Sequence, residues 1–183
     1  MPPFTAAEFT DPVNLSVLEG AAKALIEAEA PIGLNTFTDR LCEACGIKRK
    51  TEPIRKRCEY LYKRFGFPVT IQNISAGKSP DWDRIIIWKS TSEVGKLLPY
   101  YRVPEVPSDL RDPQEVPVQE AACAAVYIAK SQYGMPRDAL IIETGRALGF
   151  PTSTPTVKLL CAAAIDLAIA EGELSEGDRL IRP

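Results

Sequence analysis

Eight of the twenty residues from Ile47 to Gly66 are basic: Lys48, Arg49, Lys50, Arg55, Lys56, Arg57, Lys63 and Arg64. Glu52 and Glu59 are the only acids among them, so the segment carries about +6 in a chain of net charge −2. Ammonium and guanidinium groups gathered with few acids to pair them suit a polyanion, and nucleic-acid phosphates are the common one. Three other constellations fall short of their chemistry. Cys42 and Cys45 form a C-x-x-C, with Cys58 thirteen residues later. A structural zinc site needs four Cys or His ligands in two close pairs, and this chain has no histidine. "NISAGKS" ends like a phosphate loop, but Gln72 stands where the first glycine belongs. Asp81 and Asp83 lie in a polar stretch and read as a turn rather than as metal ligands. Without histidine the commonest general base is missing as well. We therefore expect no enzyme activity, no cofactor and no metal.

The periodicity explains how the basic residues are held. Leu15, Leu18, Ala22 and Leu25 recur at helical spacing, and "APIG" interrupts them. Leu34, Phe37, Leu41 and Cys45 line a second helix that Gly46 should end. Thr51 is a candidate N-cap for a third helix, with Pro53 in its first turn. "VTIQNI" and "RIIIW" then read as two strands joined by a polar loop. Sliding the chain by 103 positions lays a second unit over the first. Gly46 falls on Gly149, Thr51 on Thr154 and Cys58 on Cys161, while Ile32 falls on Met135 and Phe37 on Leu140. The fold class expected is α+β, mostly α: two tandem winged helix-turn-helix units joined by a Pro-rich connector. The expected boundaries are an N-terminal linker over 1–13, a first unit over 14–94, an extended connector over 95–117 and a second unit over 118–183.

On a helical wheel, Ile54, Cys58, Leu61 and Phe65 share one arc of the third helix. The candidate nucleic-acid contacts are Lys48, Arg49 and Lys50 in the preceding turn, then Arg55, Lys56, Arg57, Tyr60, Lys63 and Arg64, with Lys78 from the wing loop. The third helix of such a unit is the one that enters a major groove. Trp82, in the same wing, more often packs on its own hairpin than touches DNA. The matching helix of the second unit, Thr154 to Glu171, carries one lysine and is apolar on nearly every face. Such a helix is buried or meets a partner, so Leu159, Leu160, Ile165 and Ile169 are candidate partner contacts.

The bulk numbers bound the class. An apolar fraction of 45% is that of a folded protein. No run of eighteen apolar residues and no leader-like N-terminus is present, so we expect no membrane partner. Five cysteines, an odd number, do not form a disulfide framework, which fits a reducing cytoplasm.

Over about residues 14–183 the sequence resembles an uncharacterised bacterial domain family. The resemblance rests on "API" after the first helix, "IIIW" closing the first wing, "EVP" opening the second unit, and "RALGF". That family typically forms the C-terminal module of large superfamily-1 helicase-like proteins, some of which also carry a very-short-patch-repair-type endonuclease domain. The chain departs from it between Thr152 and Lys158, where the family often carries basic residues. The resemblance implies a DNA-processing or defence assembly, with helicase or nuclease domains of the same or a neighbouring chain as partners. The function expected is a DNA-binding accessory module. The alternatives are a protein–protein docking module and a winged-helix transcription regulator, the latter acting as a homodimer.

Overall fold

A computed structural model describes residues 3–74, 81–177 and 180–183. The described chain is α+β and mostly helical, with two small sheets. It divides into two compact units. No described helix is long and apolar enough to cross a membrane.

The first unit holds the chain to Ile71 together with Asp81–Val94. Its helices are α1 (Ala6–Thr10), α2 (Leu15–Glu29), α3 (Leu34–Ala44) and α4 (Glu52–Arg64). Its strands are β1 (Ile32–Gly33), β2 (Val69–Ile71) and β3 (Ile85–Ile87), hydrogen-bonded in the order β1-β3-β2. Both pairings are antiparallel, with Ile87 facing Ile32 on one side and Val69 on the other. The core follows from helical spacing. α2 buries Leu18, Ala22 and Ile26, α3 buries Leu34, Phe37 and Leu41, and α4 buries Ile54, Cys58 and Leu61. Full burial of one such side chain is worth about 2 kcal/mol. α3 ends as its sequence requires. Gly46 takes φ +73°, and the Ile47 N–H reaches back 2.8 Å to the Cys42 carbonyl.

The N-terminal stretch expected as a linker is part of this unit. Thr5 and Glu8 form a reciprocal capping box at the start of α1, and Phe9 is wholly buried in the core. The Phe4 N–H donates to the Cys45 carbonyl at 2.8 Å, just before the turn that leads to α4. Both wing strands are shorter than "VTIQNI" and "RIIIW", and in the first of them Gln72 and Ile74 leave the sheet and serve the second unit.

The second unit holds Gln72–Ile74 and Gly95–Pro183. Its elements are α5 (Val118–Ser131), α6 (Arg137–Ala147), α7 (Pro155–Ala170), β4 (Ser175–Glu176) and β5 (Ile181–Arg182), and an isolated antiparallel bridge pairs Met135 with Ile181. Ala121, Ala122, Ala124, Ala125 and Ala129 make α5 thin, so that α7 packs closely along it with Leu160, Cys161, Ala164 and Ile165. The expected extended connector, 95–117, belongs to this unit. It contains two 3-10 turns, Pro107–Asp109 and Pro113–Glu115, and buries Glu115 and Val116.

Two buried polar side chains hold that segment. Gln72 donates to the carbonyls of Gln114 (2.9 Å) and Val116 (3.0 Å) and accepts from the Val118 N–H at 2.8 Å. Glu120 has no solvent exposure. It accepts from the Arg102 N–H (2.8 Å), the Arg102 guanidinium (2.6 Å) and the Arg111 guanidinium (2.5 and 2.9 Å). A buried carboxylate is tolerable only when paired and hydrogen-bonded in this way.

Several core positions 103 apart have matching environments. Leu18 and Ala121, Ala22 and Ala125, Ile26 and Ala129, Phe37 and Leu140, and Cys58 and Cys161 are all wholly buried. The Gly46 N–H bonds the Glu43 carbonyl, and the Gly149 N–H bonds that of Arg146. Ile47 bonds back to Cys42, and Phe150 to Gly145.

Candidate nucleic-acid interface

The basic segment occupies the turn after α3 and the whole of α4. Thr51 takes extended backbone angles and starts α4, but its hydroxyl makes no cap bond, and Pro53 lies in the first turn. Thr154, at the matching position, does cap, accepting from the Val157 N–H. Lys48, Arg49, Lys50, Arg55, Lys56, Tyr60, Lys63 and Arg64 are all exposed. Lys78 lies outside the described residues.

The eight cations are not equivalent. Lys63 pairs with Glu59 at 2.5 Å, which raises the Lys63 pKa above its ordinary value. Arg64 pairs with Glu19 of α2, Lys50 pairs with Asp39 of α3, and Lys56 lies 3.7 Å from Glu52. Among the described residues, Lys48, Arg49 and Arg55 have no acidic partner. Uncompensated charge is therefore concentrated in the turn and in the first turn of α4. The exposed pairs elsewhere are worth about 0–1 kcal/mol each and exchange readily for another anion.

Arg57 does not face outward as the wheel suggests. Its guanidinium donates to the Thr10 carbonyl at the end of α1. Tyr60 sits between Arg57 and Arg64, each guanidinium 6.0 Å from its ring centroid, and its hydroxyl accepts from Arg64 at 3.2 Å. The wheel could not find this arrangement, because α1 was not recognised as an element. The signal was present as "TAAE", a capping-box spacing, followed by Phe9. Trp82 does not pack on its hairpin alone. Its indole N–H donates to Asn35 at 2.7 Å, and the ring packs against the first unit's core. Lys89 pairs with Glu27 at 3.1 Å.

Behind the basic turn lie three cysteines. Cys45 and Cys58 are wholly buried, and Cys42 is 3% exposed. The thiols of Cys42 and Cys58 act on each other's ionisation, lowering the Cys42 pKa, with help from Lys50 and against burial and Asp39, and raising that of Cys58, to which burial adds. Burial pushes Cys45 up to about 11. Cys42 also lines a cavity of about 290 Å³ bordered by Asp39, Glu43, Ile47, Lys48 and Lys50.

In the second unit, Leu160 and Ile165 fill the unit's own core and Ile169 packs against it. They are not free for a partner, as the sequence suggested. The apolar helix is covered from within. Leu159 alone of the four is exposed, at 43%. The largest apolar groups in solvent were not anticipated: Tyr127, 62% exposed on α5, and Tyr133, 90% exposed and at φ +57° in the turn after it. That left-handed angle is uncommon for an aromatic residue.

Neither a curated protein nor a solved structure matches the chain. A family model described as a protein of unknown function (DUF3320) matches residues 7–56, from within α1 to the first turns of α4. Over that stretch the chain is similar to an uncharacterised domain family, and the match includes part of the N-terminal segment that the sequence reading set aside as a linker.

Proposed function

We propose that the chain is a DNA-binding accessory module made of two tandem winged helix-turn-helix units, the first of which contacts phosphates. The element order supports the fold assignment. In the first unit a helix, a short strand, two helices and a hairpin follow one another, and the first strand pairs with the last. The second unit repeats that order, with the Met135–Ile181 bridge in the place of the β1–β3 pairing. Equal burial at a spacing of 103 supports a common origin of the two.

The observation that carries the functional reading is that Lys48, Arg49 and Arg55, in the turn before α4 and in its first turn, have no acidic partner among the described residues. In helix-turn-helix proteins this end of the recognition helix meets the duplex. The orphan N–H groups and dipole of the helix add to the attraction for phosphate. The described residues of the second unit hold no such cluster, and that unit serves to dock or to support. The assembly served is a helicase or nuclease one, a reading that rests on the family resemblance. The test is affinity for duplex DNA measured against salt. Absence of binding at about 50 mM salt, where phosphate contacts are strongest, ends the reading.

A further inference from the structure

Among the described residues of the first unit, Tyr60 is the one exposed aromatic side chain, at 43%. It stands on the outer face of α4 between two guanidiniums, Arg57 one turn before it and Arg64 one turn after it. Both are anchored elsewhere, Arg57 on the Thr10 carbonyl and Arg64 on the Glu19 carboxylate of α2. The Tyr60 hydroxyl accepts from Arg64 at 3.2 Å. The ring is thus fixed in place while its surface stays open to solvent, and a surface held in advance loses little freedom on binding. The matching position of the second unit is Ala163, packed against that unit's core, so the repeated fold does not require an aromatic group there.

The neighbours of the ring narrow what it meets. Lys56 lies one turn before Tyr60 on the same face of α4 and is held only loosely by Glu52, at 3.7 Å. A phosphate at Lys56 brings its base toward the Tyr60 ring. Inside a duplex both faces of a base are covered by the bases above and below, whereas an unpaired base is free to stack on an aromatic side chain. Rings set among cations are the usual means of holding single strands. We propose, resting on the DNA reading above, that Tyr60 stacks an unpaired nucleobase, so that the chain prefers duplex DNA with a single-stranded tail.

The experiment measures the affinity of the full chain for three DNAs by fluorescence anisotropy: a blunt duplex, the same duplex with a short single-stranded tail, and one whose tail is abasic. The abasic tail keeps the added phosphates and removes only the bases. The expected result is binding to the normal tail at least about fivefold tighter than to the abasic one, the lower end of what one stacked base contributes. Tyr60→Leu, checked as folded by circular dichroism, should bring that ratio to about one, and Tyr60→Phe, which keeps the ring, should retain it. Equal affinity of the wild type for the two tailed duplexes, with the blunt duplex still bound, overturns this inference alone and leaves the ring to a protein partner. A preference that survives Tyr60→Leu overturns it as well, because the stacking group is then another. Failure to bind any of the three at about 50 mM salt ends the DNA reading itself.

Discussion

The guanidinium of Arg57 donates to the backbone carbonyl of Thr10, tying α4 to the end of α1. One helical position away from the core face, a residue of the basic segment thus works as a strut rather than as a contact. Its neighbour Arg55 is exposed and has no acidic partner among the described residues. The two arginines separate structural from electrostatic roles. Arg57→Ala should lower stability by about 1–2 kcal/mol, since a charged donor to a buried or half-buried acceptor is lost. Arg55→Ala should stay within about 0.5 kcal/mol of wild type. Urea midpoints of the two variants check this, and equal midpoints would show that the Arg57 bond carries no weight.

Gly46 and Gly149 end α3 and α6 in the same way. Gly149 sits at φ +90°, and a Cβ there would lie 2.3 Å from Cγ of Pro104. Gly149→Ala therefore combines an unfavourable backbone angle with a clash, and we expect a loss of more than 2 kcal/mol. Gly20→Ala is the control. It lies inside α2 with nothing within 4 Å of its added carbon, so it should be neutral or stabilising by about 0.5–1 kcal/mol. Thermal unfolding of both variants makes the comparison, and a Gly149→Ala midpoint as high as that of Gly20→Ala would sink it.

Much of this was legible because helical periods are long and repetitive. Leu18 and Ala22 of α2, or Ile54, Cys58 and Leu61 of α4, fall on one face by spacing alone, while Ile26 is buried where the spacing marked Leu25. The α+β class and the positions of Gly46 and Gly149 at helix ends follow from the same reading. α1 was missed because five residues hold too little of a period, and only its capping box marks it. The polar locks were missed for a different reason. Gln72 meets Gln114, Val116 and Val118 more than forty residues away, and Glu120 meets Arg102 and Arg111, pairings that no local pattern encodes. The proline-rich segment reads as extended from its composition, and its fixation depends on those distant partners. Arg57 shows the same limit at the candidate site. Exposure on an isolated helix is not exposure in the fold.

Glu120 gives the second unit a pH dependence. Burial works against its charge, and the hydrogen bonds and charges of Arg111 and Arg102 more than offset burial, holding its pKa below the ordinary 4.5. A carboxylate held low stabilises the fold fully above that ordinary value, and its contribution is lost as pH falls through the lowered folded value. Glu120→Gln should cost about 3 kcal/mol near neutrality, because two arginines lose their charged partner. The gap between wild type and variant should narrow as pH drops below about 4.5. Denaturation curves across that range decide it, and a gap that stays constant into acid would show that the carboxylate charge is not what holds the segment.

The DNA reading makes a graded prediction from the pairing of the basic residues. Among the described residues Lys48, Arg49 and Arg55 have no acidic partner, and Lys56 is only loosely engaged with Glu52 at 3.7 Å. Three or four phosphates neutralised by these groups give a slope of log K against log salt of about −3 to −4 on duplex DNA. Neutralising Arg49 and Arg55 together, as Arg49→Gln with Arg55→Gln, should flatten that slope by about two. It should weaken binding to different sequences alike, because phosphate contacts position the protein without reading bases. Neutralising Lys63 and Arg64 should flatten it by less than one, since their charges are already met by Glu59 and Glu19 and bring less net charge to the duplex. Lys130→Gln in the second unit, where Lys130 pairs with Glu173 at 2.9 Å, should leave the slope unchanged. Slopes from fluorescence anisotropy titrations at several salt concentrations rank the variants. Equal flattening by the Lys63/Arg64 and Arg49/Arg55 pairs would move the contact from the first turn of α4 to its whole length. An effect of Lys130→Gln equal to theirs would show that the first unit is not the DNA-binding one.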